Sequence, residues 1–143
     1  MALAMHYRVA TNHPRTQIGL PEIQLGILPG VGGCQRLPRL VGLRAALDMI
    51  LAGKSERAEK AFRLGMVDEL VHPSILRRIT LDAARRMASG WRPKRKRRGT
   101  GLMGLLLDRN PAGRALVFRT ARKQTLERTH GNYPAPLAAI DAI

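Results

Sequence analysis

Among the first 47 positions a single acidic residue stands out, Glu22. It follows Pro21 and is flanked by Leu20, Ile23 and Leu25, an apolar setting that disfavours the ionised carboxylate and suits a general acid or base. The competing reading is a salt-bridged or surface glutamate in a turn. A glycine loop follows at once, Gly26-Ile27-Leu28-Pro29-Gly30-Val31-Gly32-Gly33, with four glycines and one proline in eight residues. Such a loop relieves crowding in a turn, or lets backbone amides approach a ligand ahead of a helix N-terminus. It fits neither a P-loop, lacking Gly-Lys-Ser/Thr, nor a dinucleotide fingerprint.

The other reactive residue types do not assemble into sites. The four histidines, His6, His13, His72 and His130, show no metal-ligand spacing and read as turn or surface residues. Cys34 is the lone cysteine and cannot form an internal disulfide. Arg36 nearby would favour its thiolate, but no dyad partner is in reach along the chain, and a small packing residue is the simpler role. No metal site is expected.

The elements that position these residues follow from periodicity and punctuation. Tyr7–Ala10 and Thr16–Ile18 read as short strands separated by a turn at Asn12-His13-Pro14, and they are the only sheet this reading supplies. From Cys34 the chain turns helical, with Leu37, Leu40 and Val41 at apolar spacing. Gly42 punctuates, and a second helix from Leu43 to Leu51 ends at Gly53. Ser55 is the candidate cap of a helix running to Leu64, with Gly65 behind it. Val67–Val71 reads as an edge strand or extended connector. His72-Pro73-Ser74 caps a helix from Ile75 to Met87, with Ile75, Leu76, Ile79, Ala83 and Met87 on one face. A last amphipathic helix, Pro111 to Arg128, sets Leu116, Val117, Ala121 and Leu126 against Arg and Lys, and Leu137 to Ile143 begins a further element.

At 143 residues and 45% hydrophobic content the chain can bury a core, and with only 3% aromatics aliphatic residues must fill it. No apolar run approaches the about 20 residues of a membrane-spanning helix. The N-terminus lacks the basic and long apolar regions of a signal peptide, so a cytoplasmic protein is expected. Lys plus Arg number 25 against 10 Asp plus Glu, a net charge of +15. Six of the positive charges lie in RPKRKRR, Arg92 to Arg98. Without interleaved aromatics or a nucleic-acid module, this run reads as a solvated linker or a contact to an anionic membrane surface, not as a nucleic-acid site.

The string GLPEIQLGILPGVGGCQRLPRLVG, Gly19 to Gly42, resembles the crotonase (enoyl-CoA hydratase/isomerase) family. That family pattern runs G-x-P-E, a hydrophobic stretch, then P-G-x-G-G-x-Q-R-L-x-R-x-x-G. Ala58-Glu59-Lys60-Ala61 and Leu64-Gly65-Met66-Val67-Asp68 continue it. Arg109-Asn110-Pro111 and Thr129-His130-Gly131-Asn132-Tyr133-Pro134-Ala135-Pro136 look like the segment that follows the hydratase region in multifunctional fatty-acid oxidation enzymes.

The resemblance implies an α/β fold, the C-terminal portion of a crotonase-like spiral ββα fold followed by a helical segment. Residues 1–90 would belong to that core, 91–104 to a basic linker, and 105–143 to a helical segment leading toward a dehydrogenase domain. It implies hydration of a trans-2-enoyl-CoA in β-oxidation, with Glu22 giving or taking the proton at the α-carbon. Pro21, Leu28, Pro29 and Gly30 would line the substrate beside it. Hydration needs no cofactor, the substrate being carried as a coenzyme A thioester. Partners would be the acyl-CoA and either a homo-oligomer or other subunits of a fatty-acid oxidation complex, in the cytoplasm or, in a eukaryote, the mitochondrial matrix. The family's other glutamate and its oxyanion-hole amides would fall upstream of Met1, so the chain alone is expected to be inactive. An isomerase chemistry, a non-catalytic assembly module and a basic membrane- or nucleic-acid-binding protein are the alternatives.

Overall fold

A computed structural model describes residues 2–93, 108 and 110–143. Two short strands, β1 (Val9–Thr11) and β2 (Gln17–Gly19), lead into a 3-10 turn at Pro21–Leu25 and two helices, α1 (Gly33–Val41) and α2 (Leu43–Ala52). β3 (Ser55–Arg57), α3 (Ala58–Leu64) and β4 (Glu69–Val71) come next, then α4 (Leu76–Ala88), α5 (Pro111–Thr129) and α6 (Pro134–Asp141).

β1 and β2 do not pair with each other, contrary to the sequence expectation. β1 runs parallel to β4, with Val9 opposite Glu69 and Thr11 opposite Val71. β2 runs antiparallel to β3, with Gln17 opposite Arg57 and Gly19 opposite Ser55. The Asn12 amide, which a hairpin would need, donates instead to the Val71 carbonyl at 3.0 Å. Ser55 is accordingly a strand residue, not a cap, and α3 starts behind Arg57 without a side-chain cap. A Cβ at Gly19 would lie 2.5 Å from the Lys54 carbonyl oxygen, so β3 passes where only glycine leaves room.

α1 and α2 form the centre of the core. Leu37, Val41, Ala46, Met49 and Ile50 are buried there with Ile23, Cys34, Ala61 and Met66. Truncating one of these large aliphatics to alanine costs roughly 2–5 kcal/mol. Gly42 joins the two helices at φ 89° and ψ 157°, a conformation open to glycine, which folds them back on each other. α6 adds Ala135 and Ala139 to the same cluster. A second cluster joins Leu43 and Leu47 of α2 to Ala121 of α5 and Ile140 of α6.

The last long helix turns differently from the expected stripe. Leu116 and Leu126 are exposed, whereas Ala121 and Thr125 are buried and Val117 packs beside them. The covered line therefore follows the half-buried Val117 and the buried Ala121 and Thr125, the i, i+4 row that meets α2. On α4 the expected face holds: Ala83 is buried, and Ile75, Leu76, Ile79 and Met87 are half-buried. His72 accepts from the Ser74 amide ahead of that helix, as the sequence indicates. Lys94 to Arg98 and Gly99-Thr100-Gly101 lie outside the described residues. Among the described residues no helix is long and apolar enough to cross a membrane.

Candidate active site

Glu22 occupies the second position of the 3-10 turn Pro21–Leu25, behind an exposed Pro21 whose ring fixes the first φ. Gly26 closes the turn in the left-handed region at φ 77°, its amide donating to the Ile23 carbonyl at 3.1 Å. The Ile27 amide reaches the Glu22 carbonyl at 3.4 Å. The turn is tied down on three sides. Ile23 is only 2% exposed and enters the main core. The Gln24 side-chain amide donates to the Gly53 carbonyl at 3.1 Å. The Tyr133 hydroxyl, from the connection between α5 and α6, donates to the Ile23 carbonyl.

The Glu22 carboxylate is half-buried, and its Oε2 is buried with no hydrogen-bond partner among the described residues. A carboxylate oxygen sunk in this way costs free energy unless something donates to it. The salt-bridged alternative therefore has no support here, because no described cation pairs with Glu22. Cys34, at the start of α1, senses the same carboxylate. Burial first, and the Glu22 charge second, push its thiol above the ordinary range. Arg36 was expected to do the reverse, but its guanidinium donates instead to the Val31 carbonyl.

The glycine loop presents two faces. Pro29 is buried, and a Cβ on Gly33 would sit 2.8 Å from its Cβ and 3.2 Å from Leu20 Cδ1, so the loop folds tightly onto the start of α1. The other face is open. Leu25, Ile27, Leu28 and Val31 are exposed, and a Cβ at Gly30 would meet nothing within 4 Å. Val31 itself sits at φ 52°, where a β-branched residue is strained. Leu28 and Gly30 thus lie on the open side of the loop, Pro29 on its inner side.

A separate cavity of about 1010 Å³ lies between α2 and α5, lined by Leu43, Leu47, Leu51, Val117 and Thr120 and bordered by Tyr133. Glu22 is not among its walls. Among the described residues no group of three or more His, Cys, Asp and Glu side chains comes together. Nothing in the sequence around Gln24 or Tyr133 marks a partner 29 or 110 residues away.

Residues 1–97 match the family described as enoyl-CoA hydratase/isomerase. The chain belongs to that family, and its α/β fold is crotonase-like. The enoyl-CoA hydratase from Bacillus anthracis superposes with a TM-score of 0.57 at 30% identity, over 87% of this chain and 46% of that one. The fatty acid oxidation complex subunit alpha of Shewanella amazonensis is 47% identical over 143 residues, all of this chain and 20% of the relative. The corresponding subunit of Shewanella loihica is also 47% identical over the same span. The chain therefore spans about a fifth of the length of the curated relatives it matches.

Proposed function

We propose that this chain contributes the acid/base half of a trans-2-enoyl-CoA hydratase site in fatty-acid oxidation. The observation that carries the reading is the buried, unpartnered Oε2 of Glu22 in the family's G-x-P-E turn. In the proposed step water adds across the double bond, its oxygen to the β-carbon and a proton to the α-carbon. Glu22 delivers that proton and takes up in its place the one that the water releases as its oxygen bonds to the β-carbon, and the substrate occupies the unsatisfied side of its carboxyl. Pro21, Leu28, Pro29 and Gly30 form the adjoining wall, Leu28 and Gly30 facing the acyl chain and Pro29 bracing the loop from within. The addition needs no metal or redox cofactor, since the thioester of coenzyme A supplies the activation.

Residues 1–90 are the C-terminal part of a crotonase-like core in this reading, 91–104 a basic linker, and 105–143 a helical segment leading toward a dehydrogenase domain. The exposed Leu25, Ile27 and Val31 favour contact with other copies or with partner subunits of an oxidation complex. The charged run beginning at Arg92 is suited to anionic surfaces.

Replacing Glu22 by Gln in the native polypeptide that carries this sequence tests the proposal. Loss of enoyl-thioester absorbance from crotonyl-CoA should slow by about 10²–10⁴-fold, the usual worth of a positioned acid or base. A Glu22→Gln protein that turns over crotonyl-CoA at the unsubstituted rate would remove Glu22 from the chemistry.

A further inference from the structure

The turn that carries Glu22 is braced from a distant part of the chain. Tyr133 lies beyond the 97 residues that match the family, in the connection between α5 and α6. Its hydroxyl donates to the Ile23 carbonyl, the same oxygen that accepts the Gly26 amide at 3.1 Å. One carbonyl thus closes the turn internally and receives an external strut. The ring also stands against the turn's last residue, since a Cβ at Gly26 would lie 3.7 Å from both Tyr133 Cε2 and its hydroxyl oxygen. Directly after Tyr133, Ala135 and Ala139 of α6 enter the core cluster that holds Ile23.

Glu22 lies between Pro21 and Ile23, and its buried Oε2 has no hydrogen bond to aim it among the described residues. Its direction therefore depends on the backbone of the turn. We infer that Tyr133 is a positioning residue for the Glu22 carboxyl, so that the segment after the family-matched region completes the hydratase site. This rests on reading Glu22 as the acid/base. A reacting group displaced by about 1 Å can lose up to roughly 10²-fold in rate, and a single lost strut on a turn held at two other points should cost less.

The test compares Tyr133→Phe, Glu22→Gln and the double variant in the native polypeptide, with crotonyl-CoA as substrate. Tyr133→Phe keeps the ring and removes the strut. It should lower kcat about tenfold with KM within about twofold, and should speed deuterium exchange at the Gly26 and Ile27 amides. In the Glu22→Gln background the same change should have no further effect, because there is no acid left to misplace. A purely structural role would cost the same factor in both backgrounds, and that result overturns the positioning. So does an unchanged kcat, or unchanged exchange at Gly26, while Glu22→Gln is inactive. Full activity in Glu22→Gln sinks the underlying reading of Glu22 instead, and the two failures are thereby told apart.

Discussion

The Tyr7 hydroxyl donates to the Glu69 carboxylate at 2.8 Å, across the seam between β1 and β4. Its ring meets Trp91 edge-on, with centroids 5.6 Å apart, and Arg86 lies 4.2 Å from the centre of the Trp91 ring. Burial and the hydrogen bond to Glu69 push the phenol from 10.0 up to about 12. Below pH 10 the phenol is neutral in folded and unfolded chains, and its contribution to stability is whole. Between pH 10 and about 12 the unfolded chain gives up the proton while the folded chain keeps it, so stability falls as pH rises through that window. Denaturant midpoints measured at pH 9 and pH 11 should therefore differ more for the unsubstituted protein than for Tyr7→Phe. Equal losses in the two would show that the phenol is not the titrating group. The half-buried setting of Glu22 was legible in the sequence because its own neighbours make it: Pro21 starts the turn, and Ile23 pulls it inward. The role of Tyr133 was not, because its partner sits 110 residues away and nothing in the Gly-Asn-Tyr-Pro stretch points to it.

Helix boundaries around the core were readable wherever glycine ends them, as at Gly42, Gly53 and Gly65. β3 was missed because Ser-Glu-Arg has the look of a helix start, and only the strand opposite it decides otherwise. Val117 and Ala121 of the expected row on α5 are covered, but Leu116 and Leu126 are not, for a related reason: α2 chooses which side of an evenly mixed helix is covered. A second tertiary device is hidden at the N-terminus of α2. Gly42 offers no side-chain cap there, and the Leu43 amide donates instead to both carboxylate oxygens of Asp108, each at 3.2 Å. A negative charge at that end also complements the helix dipole. Asp108→Ala should lower unfolding stability by about 1 kcal/mol, as the loss of a local cap does. Asp108→Asn, which keeps an acceptor, should recover part of it. Urea unfolding curves with identical midpoints for the Ala variant and the parent protein would show that the contact contributes nothing.

For the molecule as a whole, the sequence conveyed the family and the helical core but not how the strands close. The two pairings are nested, since β2–β3 lies wholly between the strands of β1–β4. In kinetic terms this nesting imposes an order. Bringing Thr11 to Val71 through an open chain means closing the longer of these two loops first, with an entropic cost that grows with its length. Once Gly19 has met Ser55, the intervening helices are already bridged, and β1 and β4 are separated only by the short connections on either side. The inner pair should therefore form in the folding transition state and the outer pair after it. Ile18→Ala in β2 should chiefly slow refolding, while Val71→Ala in β4 should chiefly accelerate unfolding, in stopped-flow chevrons. The reverse assignment would mean that the chain closes from the outside in, and that α1 and α2 fold inside a ring already shut.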